Sequence, residues 1–262
     1  MILVTGATGN LGPHVLNALL ARGERVRVLT RGADAGLPQQ VEVVRGDLCD
    51  PARVADAVAG CDAVVALATG LLSGRRGPEE IDRDANVSLV DAAAAAGVSR
   101  FVLLSVHGVR ADSPIRFYRA KCAAEEHLAA SGLPWAVVRS MPFLHLWRRI
   151  VAEQVPQGGP ALVLGRGLNP IAFAPEEKVA AAVTEALVAQ PAPNAIIEVA
   201  GDTTYTMTEL AEQSGAEKTR KVPLLALRTM RYLALPINPA FARKAALAVE
   251  ADTTDMTAPS AV

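Results

Sequence analysis

The sequence predicts an α/β protein built on a doubly wound parallel sheet, and three observations carry that expectation. Up to about residue 140, short β-branched or apolar runs ("MILVT", "RVRVLT", "VEVVR", "DAVVALA", "RFVLLS", "WAVVR") alternate with Ala-rich helical stretches. The runs are nearly continuous in apolar residues, as strands buried on both faces must be, and intervening helices make such strands parallel. The helical stretches close on Gly23, Gly60, Gly97 and Gly132, the residue type that ends helices in the left-handed conformation.

Length and composition bound the rest. The 262 residues suffice for one large domain or a domain with an appendage, and a 51% hydrophobic, 4% aromatic content predicts a mainly aliphatic core. A net charge of -1 argues against nucleic acid as a partner, because phosphate binding needs a basic surplus. Cys49, Cys61 and Cys122 form no C-x-x-C pair and read as reduced thiols. The amino-terminal run lacks a basic leader and breaks at Gly6, and no apolar run is long enough to span a bilayer. A soluble, cytoplasmic protein that binds no membrane is expected.

The first predicted strand runs into Gly6, Gly9 and Gly12 at G-x-x-G-x-x-G spacing, and a helix opens there. In that context the first glycine permits a tight turn and the second lets backbone N–H groups approach a pyrophosphate. The third brings helix and strand close, and the helix N-terminus adds positive charge. The second strand ends on Thr30 and Arg31 with no carboxylate beside them. An acidic residue there would hold a ribose 2′-hydroxyl, whereas an arginine accepts a 2′-phosphate. The expected ligand is therefore NADP(H) bound to a Rossmann-type domain over residues 1–140.

After Arg139 the alternation fades. A helix is expected from "MPFLHLWRRIVAEQV", short strands from "PALVLGRG", "PIAFA" and "AIIEVAG", and a helix from "PEEKVAAAVTEALVA". "YTMTELAEQSG" pairs a Thr with a Glu three residues on, the signature of a capped helix. Residues 141–262 are read as a smaller, mixed region covering the substrate. Arg220, Lys221, Arg228 and Arg231 alternate with apolar residues, but Pro223 and Pro236 interrupt them. A helical lid or subunit contact, such as a homodimer would use, fits better than a membrane-surface helix.

"TGATGNLG", "LTR", "RGDL" and "RFVLLSV", in this order, resemble the extended and atypical short-chain dehydrogenase/reductases. "YRAKCAAEEHLAASGLPWAVVRSMPF" is similar to their NmrA-like NAD(P)-binding group. The resemblance implies that Thr8, Asn10 and Leu11 join the glycines in the phosphate loop, with Asn10 near the 2′-phosphate. It implies that Asp47 and Leu48 flank the adenine, Ala68 and Thr69 border the adenosine ribose, and Lys121 reaches the nicotinamide ribose. Members of this superfamily use Ser with Y-x-x-x-K, but here Phe117 stands four before Lys121 and the tyrosine is Tyr118, three before. Helix positions i–3 and i–4 differ by about 100° around the axis, so the catalytic tyrosine is displaced.

Several residues keep two readings. Lys121 has Glu125 one turn on, so a surface ion pair competes with cofactor binding. Tyr118 is an acid or a packing aromatic. Ser105 loosely matches the catalytic serine, and His107 follows on the loop leaving the strand, where such folds bind ligands. His14 is read as structural, and His145 and Trp147 as lining a pocket or the core. No His, Cys, Asp and Glu pattern has metal spacing, so no metal is expected. The functional expectation is an NADPH-dependent reductase of a small hydrophobic carbonyl, enone or quinone. Alternatives are a non-catalytic NADP(H) sensor and a redox-neutral isomerase or epimerase.

Overall fold

The computed structural model describes residues 1–32, 36–71, 76–153, 160–188, 194–234 and 238–257. In chain order the elements are β1 (Ile2–Thr5), α1 (Gly12–Ala21), β2 (Val26–Thr30), β3 (Glu42–Arg45), α2 (Pro51–Val58) and β4 (Ala63–Ala66). A π-helical segment (Glu79–Ala85) then runs directly into α3 (Asn86–Ala95), followed by β5 (Arg100–Val106), α4 (Arg116–Ala130) and β6 (Trp135–Ser140). Next come α5 (Leu144–Ala152), β7 (Ala161–Leu164), α6 (Glu176–Val188), β8 (Ala195–Val199) and α7 (Met207–Gln213). The last are β9 (Thr219–Val222), α8 (Leu224–Leu233) and α9 (Pro239–Thr253).

Seven strands form one sheet in the order β3-β2-β1-β4-β5-β6-β8, with every pairing parallel. The order reverses between β1 and β4, which leaves a crevice at the carboxyl edge where sheets of this kind take their ligands. Alternate strand residues bury on opposite faces. Leu3, Val64, Phe101, Leu103 and Val137 pack with Val54, Leu89 and Leu128 of α2, α3 and α4 into one aliphatic core. The predicted helix stops hold: Gly23, Gly60, Gly97 and Gly132 all have φ between 70° and 78°.

The chain divides into two units, residues 1–140 with 176–199, and residues 141–175 with 200–262. The region read as a continuous 141–262 is thus interrupted, because α6 and β8 return to the first unit. The physical reason is the edge of β6: its free backbone groups pair with β8 from Ala136↔Ala195 to Ser140↔Val199, and α6 supplies the crossover a parallel strand needs. Arg100, buried at the start of β5, ties α6 down by donating from Nε to the carbonyl of Ala186 at 2.9 Å. Burial pulls its guanidinium below the usual arginine range.

In the second unit β7 and β9 pair in parallel. "PIAFA" is not a strand; Ile171 and Ala174 make only isolated bridges, to Tyr205 and Met256 and to Phe143. Arg220 and Lys221 lie on β9, and Pro223 separates them from Arg228 on α8, so the arginine-rich stretch is two elements rather than one helix. Pro236 lies outside the described residues. Thr206 and Glu209 form the expected reciprocal cap at the start of α7, the Thr206 hydroxyl accepting from Glu209 N and the Glu209 carboxylate from Thr206 N. Trp147 packs on Phe173 at 6.4 Å, whereas His145 is exposed instead of lining a core.

Candidate active site

The turn between β1 and α1 is shaped by its glycines. Gly6 has φ 73°, and a Cβ there would lie 2.5 Å from the backbone nitrogen of Ala68, on the chain leaving β4. A Cβ on Gly12 would collide with the Ala7 carbonyl, so this glycine lets α1 start hard against the turn. A Cβ on Gly9 would meet only the Gly6 carbonyl oxygen, at 3.2 Å. Gly9 N donates to the Gly6 carbonyl at 3.0 Å, which closes the turn, and the missing side chain leaves the space around Gly9 clear. Leu11, the N-cap of α1, provides no side-chain cap, and no acidic residue sits in the first turn. Unpartnered N–H groups at a helix N-terminus form an anion site. The cradle fits a dinucleotide pyrophosphate.

The predicted neighbours of this cradle lie along the same carboxyl edge. Arg31 follows β2 and is exposed. Thr30 is buried and its hydroxyl accepts from Gly32 N at 3.3 Å. After β3, the Asp47 carboxylate accepts from Cys49 N at 2.9 Å and pairs with Arg76 at 3.1 Å, beside buried Leu48. After β4, Leu67 N donates to the Thr5 carbonyl, half-buried Ala68 faces Gly6, and exposed Thr69 caps its own turn by accepting from Leu71 N. Asn10 and Thr8 are exposed in the glycine turn.

Register builds a second cluster at the end of β5. Ser105 pairs with Arg139 of β6, and Arg139 with Glu198 of β8, so the three side chains stand in a row on one sheet face. Helix α4 covers that face. Its Glu125 meets the Arg139 guanidinium through three contacts of 2.6 to 3.2 Å. The competing surface ion pair between Lys121 and Glu125 is therefore absent. Lys121 is instead 2% exposed, donating to the Leu104 carbonyl at 3.0 Å and facing the Asp82 carboxylate at 3.1 Å. Asp82, fully buried on the π-helical segment, also accepts from Gly70 N at 2.9 Å.

His107, one residue past β5, is buried, with Nδ1 3.2 Å from the Glu198 carboxylate. Glu198 in turn faces the Arg139 guanidinium at 3.6 Å. Burial would pull the Arg139 guanidinium down, but Glu125 and Glu198 outweigh it and push it further up. Tyr118 is buried, packs on Phe117, and its ring passes 3.7 Å from where a Gly108 Cβ would be. The Ser105 hydroxyl is fully buried and has no hydrogen-bond partner among the described residues. A buried hydroxyl without a partner costs about 1–3 kcal/mol, a debt a ligand oxygen would settle. The structure thus gathers Ser105, His107, Tyr118 and Lys121 around the end of one strand. His14 stands apart, 3.6 Å from Glu177.

Asp82 and Glu198 were not singled out from the sequence. Asp82 sits in "IDRDAN", where nothing distinguishes it from a solvated helix carboxylate. Glu198 interrupts the apolar strand "AIIEV", and a charge inside a buried strand was the one available signal.

Residues 6–190 match the sequence profile of a family described as NAD(P)H-binding. An NAD(P)H azoreductase from Xenophilus azovorans is 27% identical over 246 residues, 92% of this chain and 79% of the relative. Photosystem II assembly factor Ycf39 of Trieres chinensis is 27% identical over 240 residues, 88% of this chain and 75% of the relative. The chain spans about half the length of other relatives, such as the divinyl chlorophyllide a 8-vinyl-reductase of Zea mays (31% identical over 76% of this chain, 54% of the relative). An NADPH-dependent quinone oxidoreductase of Escherichia coli, solved with NADPH, superposes with TM-score 0.76 at 22% identity over 98% of this chain and 92% of that one. A nucleoside-diphosphate-sugar epimerase of Staphylococcus aureus gives 0.80 at 20% identity over 99% and 92%. At these identities the structural likeness shows the shared fold. No helix among the described residues is long and apolar enough to cross a membrane.

Proposed function

From the premise that this chain belongs to the NAD(P)H-binding family, we propose that it is an NADPH-dependent reductase of a hydrophobic carbonyl, enone or quinone. The observation that carries the reading is a single carboxyl edge holding both parts of the machinery. A glycine cradle with Arg31 lies at β1 and β2; Ser105 and His107 lie at the end of β5, and Tyr118 reaches that end from α4.

Bound NADPH would supply the hydride, which leaves binding, orientation and a proton to the protein. The backbone from Gly6 to Gly12, with Thr8 and Leu11 in the turn, holds the pyrophosphate. Arg31 pairs with the 2′-phosphate, with Asn10 beside it, and Asp47 and Leu48 flank the adenine. Ala68 and Thr69 border the adenosine ribose. Lys121 donates to the Leu104 carbonyl and is ion-paired with Asp82, and its remaining N–H donors serve the nicotinamide ribose. Ser105, His107 and Tyr118 polarise or protonate the substrate oxygen.

Oxidation of NADPH against a panel of quinones, enones and aromatic ketones, with NADH in parallel, tests the reading. A charge-assisted bond to the 2′-phosphate contributes about 1.5–3 kcal/mol, so Arg31→Ala should lower kcat/KM for NADPH by about 10- to 100-fold and leave NADH nearly unchanged. An equal loss with both cofactors removes Arg31 from the 2′-phosphate. The likeness to a photosystem II assembly factor favours a second reading, a dinucleotide-regulated binding protein. Tight NADPH binding with no turnover, and a protein partner captured only in the NADP-bound state, would support it.

A further inference from the structure

The geometry points to His107 as the proton donor of this reductase, with Glu198 as the residue that positions it. The inference rests on the reductase reading and chooses among the three proton-bearing groups at the end of β5.

His107 has a device for holding and replacing a proton. Nδ1 of His107 faces the Glu198 carboxylate at 3.2 Å. A carboxylate only accepts, so Nδ1 carries a hydrogen in either charge state of the ring. Nε2 is then the nitrogen that gains and loses a proton, and it has no hydrogen-bond partner among the described residues. The Ser105 hydroxyl is fully buried with no hydrogen-bond partner among the described residues. Tyr118 is set a third of a helical turn away from the usual position relative to Lys121.

Glu198 is itself held. Arg139 lies between it and Glu125, at 3.6 Å from the first and 2.6 Å from the second. All four groups are at least four-fifths buried. Two carboxylates against one guanidinium leave one negative charge, and an uncompensated buried charge is costly. That charge faces the Nδ1 side of the His107 imidazole. Lys121 and Asp82, the nearby pair on α4 and the π-helical segment, balance each other at 3.1 Å and leave this count unchanged.

Bound NADPH would supply the substrate carbon with a hydride and its electron pair. The Nε2–H bond breaks as an O–H bond forms on the substrate. The ring is left neutral, with Nδ1–H still on Glu198, and solvent returns the proton to Nε2. A general acid of this kind contributes typically 10²- to 10⁴-fold.

The test uses Glu198→Gln and His107→Gln in the full chain, with two readouts. The first is the ¹⁵N spectrum of histidine-labelled protein without cofactor, in which His107→Gln assigns the signal. Wild-type protein should show His107 protonated at Nδ1 at every pH, and Glu198→Gln should lose that preference. The second is steady-state kinetics with the best acceptor. Both variants should lose about 100-fold in kcat with KM for NADPH unchanged. His127→Gln, which breaks an exposed imidazole–carboxylate contact to Asp91, should turn over like wild type. Glu198→Asp should restore part of the loss and keep the Nδ1–H signal. Wild-type protein with an Nε2–H tautomer, or variants within threefold of wild-type kcat, would overturn the assignment while the reductase stands. Absence of NADPH oxidation by wild-type protein with every acceptor would overturn the reductase and the donor role together.

Discussion

The buried pair between Lys121 and Asp82 can be broken from either side, and its cost can be worked from the structure. The two charges lie 3.1 Å apart with side chains 2% and 0% exposed. At an effective dielectric of about 20 their attraction is about 5 kcal/mol. Desolvation already offsets much of that in the intact protein. Removing one partner forfeits the attraction while the other charge stays buried, which costs about 3–5 kcal/mol. Asp82→Asn is the clean perturbation, because the amide oxygen can still accept from Gly70 N. Lys121→Met removes the other charge at similar volume. Each single variant should lose about 3–5 kcal/mol in urea unfolding, a fall in Tm of about 6–20 °C for a chain of this size. The double variant buries no charge and forfeits mainly the Leu104 bond, so it should lose only about 1–3 kcal/mol. The resulting coupling is at least ~3 kcal/mol. Single variants costing under ~1 kcal/mol, or a double variant equal to their sum, would refute a buried pair of this strength.

Two further outcomes follow from local geometry. Gly6→Ala places a Cβ 2.5 Å from Ala68 N at φ 73°, and the left-handed conformation alone costs about 1–2 kcal/mol. It should lower Tm, whereas Gly9→Ala, with one contact at 3.2 Å, should leave Tm within about 2 °C and weaken NADPH binding by fluorescence titration; the reverse ranking would contradict the cradle. The Cys122 thiol is pushed up to about 11 by burial and then by its bond to the Glu126 carboxylate. At pH 8 only about one thiol in 10³ is ionised, so iodoacetamide should label Cys122 slowly by peptide mass spectrometry. Glu126→Gln, which removes the opposing charge, should label it faster; equal rates would exclude the carboxylate as a cause.

The alternation of apolar runs with helices specified the parallel sheet, and the glycine spacing specified the tight turn between β1 and α1. These features were legible because each is written within a few neighbouring residues: period, turn chemistry and helix stops act locally. The return of α6 and β8 was not legible, since "PEEKVAAAVTEALVA" and "AIIEV" look the same whichever sheet they join. Only the unpaired edge of β6 decides it. Lys121 shows the same division. Its neighbour in sequence, Glu125, offered a surface pair, but register placed Arg139 opposite Glu125 and the π-helical segment brought Asp82 to the lysine. The contact between His107 and Glu198 spans 91 residues. Sequence determined which groups this chain carries and how each stretch folds. The tertiary structure decided which charges meet, because burial and strand register are properties of distant segments packed together.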